Sequence, residues 1–63
     1  MYTIRHVIRH EGEWFYSETG YGYYPNYNEC MHAATRAADR KQKPMGVLDH
    51  SNNELTVVHH IKG

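Results

Sequence analysis

Apolar and polar positions alternate along the first stretch of the chain. Tyr2, Ile4, His6, Ile8 and His10 share one parity; Thr3, Arg5, Val7 and Arg9 share the other. A period of two predicts a half-buried strand. Glu11-Gly12 then offers a turn, and residues 13–18 resume as a second strand, for which Trp14, Phe15 and Tyr16 have the propensity. The two strands make a hairpin, and Trp14 is expected as the keystone of its inner face, packed in the core. Thr19 to Pro25 carry the glycine and proline punctuation of a loop.

The period then changes. Tyr27, Cys30, Met31, Ala34, Ala37 and Ala38 recur at three- and four-residue spacing, which predicts a helix over about residues 27–42 with one apolar stripe. Asn26 is placed as its N-cap, with Glu29 three positions on in the manner of a capping box. The alanines permit a close approach of helix to sheet, and Tyr27 is expected in the core with them. Arg40, Lys41 and Lys43 complement the dipole at the C-terminal end, and Pro44 stops the helix. Residues 46–50 read as a third strand and Ser51-Asn52-Asn53 as a turn, because asparagine tolerates positive φ. Residues 54–61 read as a fourth strand, with Leu55, Val57, His59 and Ile61 of one parity. The expected architecture is a single α+β domain spanning residues 1–63, of order β-β-α-β-β. Its antiparallel sheet carries the helix on one face and leaves the other open to solvent or to a partner.

Length tightens this picture. A chain of 63 residues buries only about 60% of its unfolded surface, and a single core of that size supplies roughly 3–5 kcal/mol. A disulfide within the chain is excluded, because Cys30 is the only cysteine. Cys30 is expected as a small buried apolar residue, and a lone cysteine fits a reducing compartment. The N-terminus lacks the apolar run of a signal peptide and no segment is long and apolar enough to span a membrane, so the expected location is the cytoplasm. The starting methionine fits a complete small gene product.

Seven basic and seven acidic residues cancel. A neutral chain has no global field to attract nucleic acid or an anionic membrane. Six histidines make the net charge positive on acidification, so lower stability or altered association is expected near about pH 5. The same histidines raise the question of a metal. His6 and His10 share a strand face but lie about 13 Å apart at roughly 3.3 Å per residue, too far for one zinc. His59 and His60 are adjacent and point to opposite faces. Neither pair chelates alone; a site assembled across strands from His6, His50 or His59 with an acid stays open. No metal and no cofactor is expected from the spacing.

Catalysis needs a base beside a nucleophile or a pair of acids. Cys30 and His32 fall on different faces of the helix, and Asp49 and His50 diverge as neighbours in a strand. Ser17 and Ser51 lack a signature of activation. The chain reads as a non-enzyme.

Binding is the remaining class. Four of the six tyrosines lie in Tyr21-Gly22-Tyr23-Tyr24-Pro25-Asn26-Tyr27. Tyrosine joins a large ring and few rotatable bonds to a polar tip, which suits partner recognition. Tyr21, Tyr23 and Tyr24 are the candidate contacts; Tyr23 and Tyr24 are consecutive, so both cannot point inward. The expected function is recognition, and modulation or inhibition, of a protein partner. The alternative is a nucleic-acid-binding module using His32, Arg36, Arg40 and Lys43, which fall at four- and three-residue steps on one helix face. Glu29 and Asp39 dilute that stripe. Arg5 and Arg9 line one parity of the first strand, and tyrosines interleaved with such charges can stack on bases. A homodimer through an unpaired strand edge would relieve the small core.

The run Ile4…Val7, then Gly12-Glu13-Trp14, then Ala33-Ala34-Thr35-Arg36-Ala37-Ala38, then Leu48-Asp49-His50 and a turn resembles a class of short bacterial and phage proteins of unknown function. The shared pattern is a strand, a Gly-x-Trp hairpin, an Ala/Arg-rich helix and a closing hairpin. The tyrosine loop is longer and more aromatic than that pattern. The resemblance implies the fold and carries no activity; by analogy it extends the expected role to a small phage or mobile-element factor acting against a host or its defences.

Overall fold

A computed structural model describes residues 1–61. Five strands and one helix follow in the order β1 (Tyr2–His10), β2 (Glu13–Tyr16), β3 (Tyr21–Tyr24), α1 (Tyr27–Lys41), β4 (Met45–Asp49) and β5 (Glu54–Val58). All pairings are antiparallel. The sheet runs β2-β1-β4-β5, with β3 also on β1. This is the expected α+β architecture, two hairpins around one helix, with one strand added.

The added strand corrects the loop expected over Thr19–Pro25. β4 occupies one edge of β1, so β2 and β3 lie end to end along the other. The pairing runs from His10↔Glu13 to Val7↔Tyr16, is extended by a hydrogen bond from Ser17 N to His6 O, and resumes at Ile4↔Tyr21 and Tyr2↔Tyr24. The chain thus leaves the ladder only at residues 18–20, with a register shift opposite Thr3 and Ile4. Gly22, at φ +73°, takes up that shift. The same break ends β2 at Tyr16, short of the expected residue 18.

Local signals account for the other element ends. Glu11 (φ +52°) and Gly12 (φ +81°) both adopt positive φ, the requirement of a two-residue type I′ hairpin turn. Asn26 Oδ1 accepts from the backbone N–H groups of Asn28 (2.8 Å) and Glu29 (3.3 Å) and so caps α1. Gln42 closes the helix in the left-handed region, its N–H bonded to Ala38 O. β5 ends at Val58 rather than residue 61, because β4 offers no partner beyond the Met45↔Val58 pair.

The core lies between α1 and the sheet. Cys30, Ala34, Ala37 and Ala38 from the helix meet Ile4, Met45, Val47 and Val58, with Tyr2, Tyr24, Met31 and Ala33 at its margin. Small helix residues bring the helix close, and the strands supply the volume. Tyr27 falls outside this core: it is exposed and packs edge-on against Tyr2, with ring centroids 5.4 Å apart. Its position at the first helical residue places it against the start of β1.

Trp14 is a second correction. It pairs with Arg9, whose parity is that of Thr3, Arg5 and Val7, and so lies on the face away from the helix. It is half-buried there, edge-on to His59 (5.9 Å). The core side of the hairpin carries Ile8 and Phe15 instead, and both are exposed because the hairpin overhangs the end of β4.

Candidate binding surfaces

The sheet sorts charge. Residues of β1 that face the helix are paired with Glu13, Phe15, Met45, Val47 and Asp49, and Asp49 pairs on with Glu54. Every strand acid (Glu13, Asp49 and Glu54) therefore lies on the helix side. The opposite face carries Thr3, Arg5, Val7 and Arg9 from β1, Trp14 and Tyr16 from β2, Tyr23 from β3, and Leu48, Leu55 and Val57 from the closing hairpin. Its strand charges are arginines alone.

No helix covers this second face, yet Thr3, Arg5, Val7 and Leu48 are buried. Two devices do this. Gly46 is central, and a methyl group added to it would stand 2.7 Å from Val7 Cγ1 and 2.8 Å from Leu55 Cδ1. Its missing side chain lets Val7 and Leu55 lean over it. The other device is polar. Arg5, 8% exposed, lies beneath the break between β2 and β3. Its Nη1 donates to Ser17 O (2.9 Å) and Glu18 O (2.6 Å), and its Nε donates to Thr3 Oγ1 (3.1 Å). Thr3 Oγ1 is in turn paired with His50 Nε2 at 2.8 Å. The Tyr16 ring sits 5.6 Å from the guanidinium carbon. Gly20 is required here, since a Cβ at that position would stand 2.7 Å from Arg5 Nε.

A buried cation ordinarily has a carboxylate partner. The ion pair found among the described residues is His10–Glu11, at 3.8 Å on the exposed hairpin tip. Arg5 is neutralised by carbonyl dipoles, a hydroxyl and an aromatic face instead. Its Nη2 group makes no hydrogen bond among the described residues.

On the helix side, an open groove of about 590 Å³ is lined by Tyr24, Asn26, Asn28, Glu29, His32 and Arg36. It unites members of two sequence-derived sets, Tyr24 from the tyrosines and His32 with Arg36 from the basic stripe. The rest of each set is dispersed. Tyr21 faces the helix side and approaches His6, 5.7 Å between ring centroids; burial raises its hydroxyl pKa, and the Arg40 charge acts the other way. Tyr23 points to the opposite face and is 75% exposed. Lys43 lies beyond the helix end, where its charge and that of Lys41 act on His6.

A smaller apolar hollow of about 220 Å³ lies under the overhanging hairpin, lined by His6, Ile8, Phe15, Tyr16 and Ser17. Burial, then Lys43 and Lys41, hold the His6 pKa below its usual 6.5. His6 is on the helix side, whereas His50 bonds Thr3 and His59 packs on Trp14 on the other face. The three are not brought together, and no group of three metal-ligating side chains is found among the described residues. Cys30 is fully buried and its thiol pKa is pushed up by that burial, so it acts as a packing residue.

The buried Arg5 network and the sorting of charge across the sheet are the features that sequence reasoning missed. The shared parity of Arg5 and Arg9 was their visible signal. No helix among the described residues is long and apolar enough to cross a membrane. No protein-family model matches the chain, and neither a curated protein nor a solved structure matches it.

Proposed function

We propose that this is a small non-catalytic binding protein that recognises a protein partner through the groove beside the start of α1. The observation that carries it is the convergence of Tyr24, His32, Arg36 and Glu29 on one concavity. A ring, a guanidinium and a carboxylate lining one groove match the mixed polarity of a protein surface. A nucleic acid would meet the Glu29 carboxylate there, which disfavours the helix face as a polyanion site. Such a protein modulates or inhibits its partner by occupying it. The resemblance to short bacterial and phage proteins supports this role as analogy. The free outer edge of β5 also suits pairing with a second copy.

Affinity capture from nuclease-treated lysate with the intact chain and with Arg36→Glu and Tyr24→Ala variants tests the reading. A stoichiometric protein retained by the parent and lost with both variants, while circular dichroism stays unchanged, is the expected result. Equal recovery with all three chains overturns it.

A further inference from the structure

We propose that the helix-free face of the sheet is a separate platform for single-stranded nucleic acid. The first support is charge. The chain is neutral overall, but the strand register sends Glu13, Asp49 and Glu54 to the helix side and leaves Arg5 and Arg9 on this one. The other acids outside the helix, Glu11 and Glu18, belong to the connecting segments at its rim. A face whose strand charges are all positive complements a phosphate backbone.

The second support is the aromatic set. Trp14, Tyr16 and Tyr23 share this face along β1, opposite Arg9, Val7 and Thr3. From Thr3 to Arg9 is about 20 Å at roughly 3.3 Å per residue. Four-stranded sheets that bind RNA stack two or three bases on aromatics of the sheet surface. Tyr23 presents an open ring, and Tyr16 is also exposed. Arg5 and Arg9 are held against Tyr16 (5.6 Å) and Trp14 (5.8 Å), so the cations are already ordered beside the rings.

The third support is Arg5 itself. It is buried without a carboxylate among the described residues, and its Nη2 makes no hydrogen bond there. A phosphate oxygen would supply the anion that the fold does not. A single strand is favoured over a duplex because stacking needs unpaired bases.

The test is fluorescence anisotropy of a labelled oligo(dT) of about 12 nucleotides, within the roughly 4–16 nucleotide range of single-strand sites. Trp14, the only tryptophan, provides a second readout by quenching. Saturable binding is expected, with a slope of log K against log salt near about −1.4 for two arginine–phosphate contacts. Tyr23→Ala should weaken binding about tenfold. Arg9→Gln should bring the slope to about −0.7. Both side chains are exposed, so the fold survives these changes, and Arg36→Gln in the groove should leave the affinity unchanged. No binding at tens of micromolar protein overturns the proposal. So does an equal affinity for oligoglutamate, an unchanged affinity with Tyr23→Ala, or loss with Arg36→Gln. The groove experiment is run after nuclease treatment and reads a captured protein rather than oligonucleotide affinity, so either reading can fail alone.

Discussion

The two faces of the sheet reach burial by opposite means. One is covered by α1, and its contents are apolar: Ile4, Met45, Val47 and Val58 against Cys30 and three alanines. The other has no covering element and covers itself, with Val7 and Leu55 meeting over Gly46 and Arg5 spanning from Thr3 to the Ser17 and Glu18 carbonyls. Apolar burial is non-directional and tolerates many partners. The polar network works only if each donor finds its acceptor, because an unpaired buried group is costly. The helix side therefore supplies stability, while the self-covered side keeps donors and rings at its surface.

Truncating one side chain on each face breaks this comparison most sharply. Ile4→Ala should cost about 2–5 kcal/mol, most of what a core this small supplies. The expected outcome is a largely unfolded chain by near-ultraviolet circular dichroism. Arg5→Met keeps the bulk but removes charge-assisted hydrogen bonds and should cost about 1.5–3 kcal/mol. Urea titration should show a lower midpoint with an unchanged slope. If Arg5→Met were as stable as the parent, the polar network would contribute no net stability.

Gly46→Ala sharpens the same comparison by prising open the self-covered face alone. The added methyl must displace the tips of Val7 and Leu55, at an expected cost of about 1–3 kcal/mol. Because only that face is disturbed, Trp14 emission should shift while the environment of Cys30 does not. A variant as stable as the parent would show that the sheet flexes freely there.

The smallest effect concerns acid. His6 is charged less readily in the fold than in the unfolded chain, since burial and the nearby Lys43 and Lys41 disfavour its cation. Its folded pKa thus lies below the unfolded 6.5. Its stabilising share is complete above that value and is lost as pH falls through 6.5 toward the folded pKa. Asp49, held low by its hydrogen bonds with Ser51, has its share above 3.8 and loses it only below that. The melting temperature should therefore decline between about pH 6.5 and 5, and His6→Phe should flatten part of that decline. An identical decline in the variant would assign the acid sensitivity to other groups.

Much of the fold was legible because its signals are local. The two-residue turn needs only Glu11 and Gly12, the helix start needs Asn26, and periods of 2 and 3.6 mark strand and helix. The misread segments share one cause. Tyr21–Tyr24 holds glycine and precedes proline, which locally favours a loop, but the free edge of β1 outweighed that preference by offering backbone partners. Trp14 has the bulk of a core residue, yet its pairing with Arg9 puts it on the uncovered face. Of the candidate contacts, Tyr24, His32 and Arg36 met in one groove, whereas Tyr21, Tyr23, Arg40 and Lys43 went elsewhere, since helical and strand spacing cannot say how a strand edge and a helix start are juxtaposed.

By itself the sequence determined the type and order of every element except β3, the caps and turns, and the parity that binds Arg5 to Arg9. These depend on side-chain period and backbone φ within a few residues. Only the tertiary structure decided which parity meets the helix, that β2 and β3 share one edge, and that Arg5 is buried among carbonyls while the strand acids lie on the other side. Those outcomes rest on the register between Thr3 and Leu48 and between Asp49 and Glu54. A one-residue slip in such pairing would turn every side chain of a strand to the opposite face.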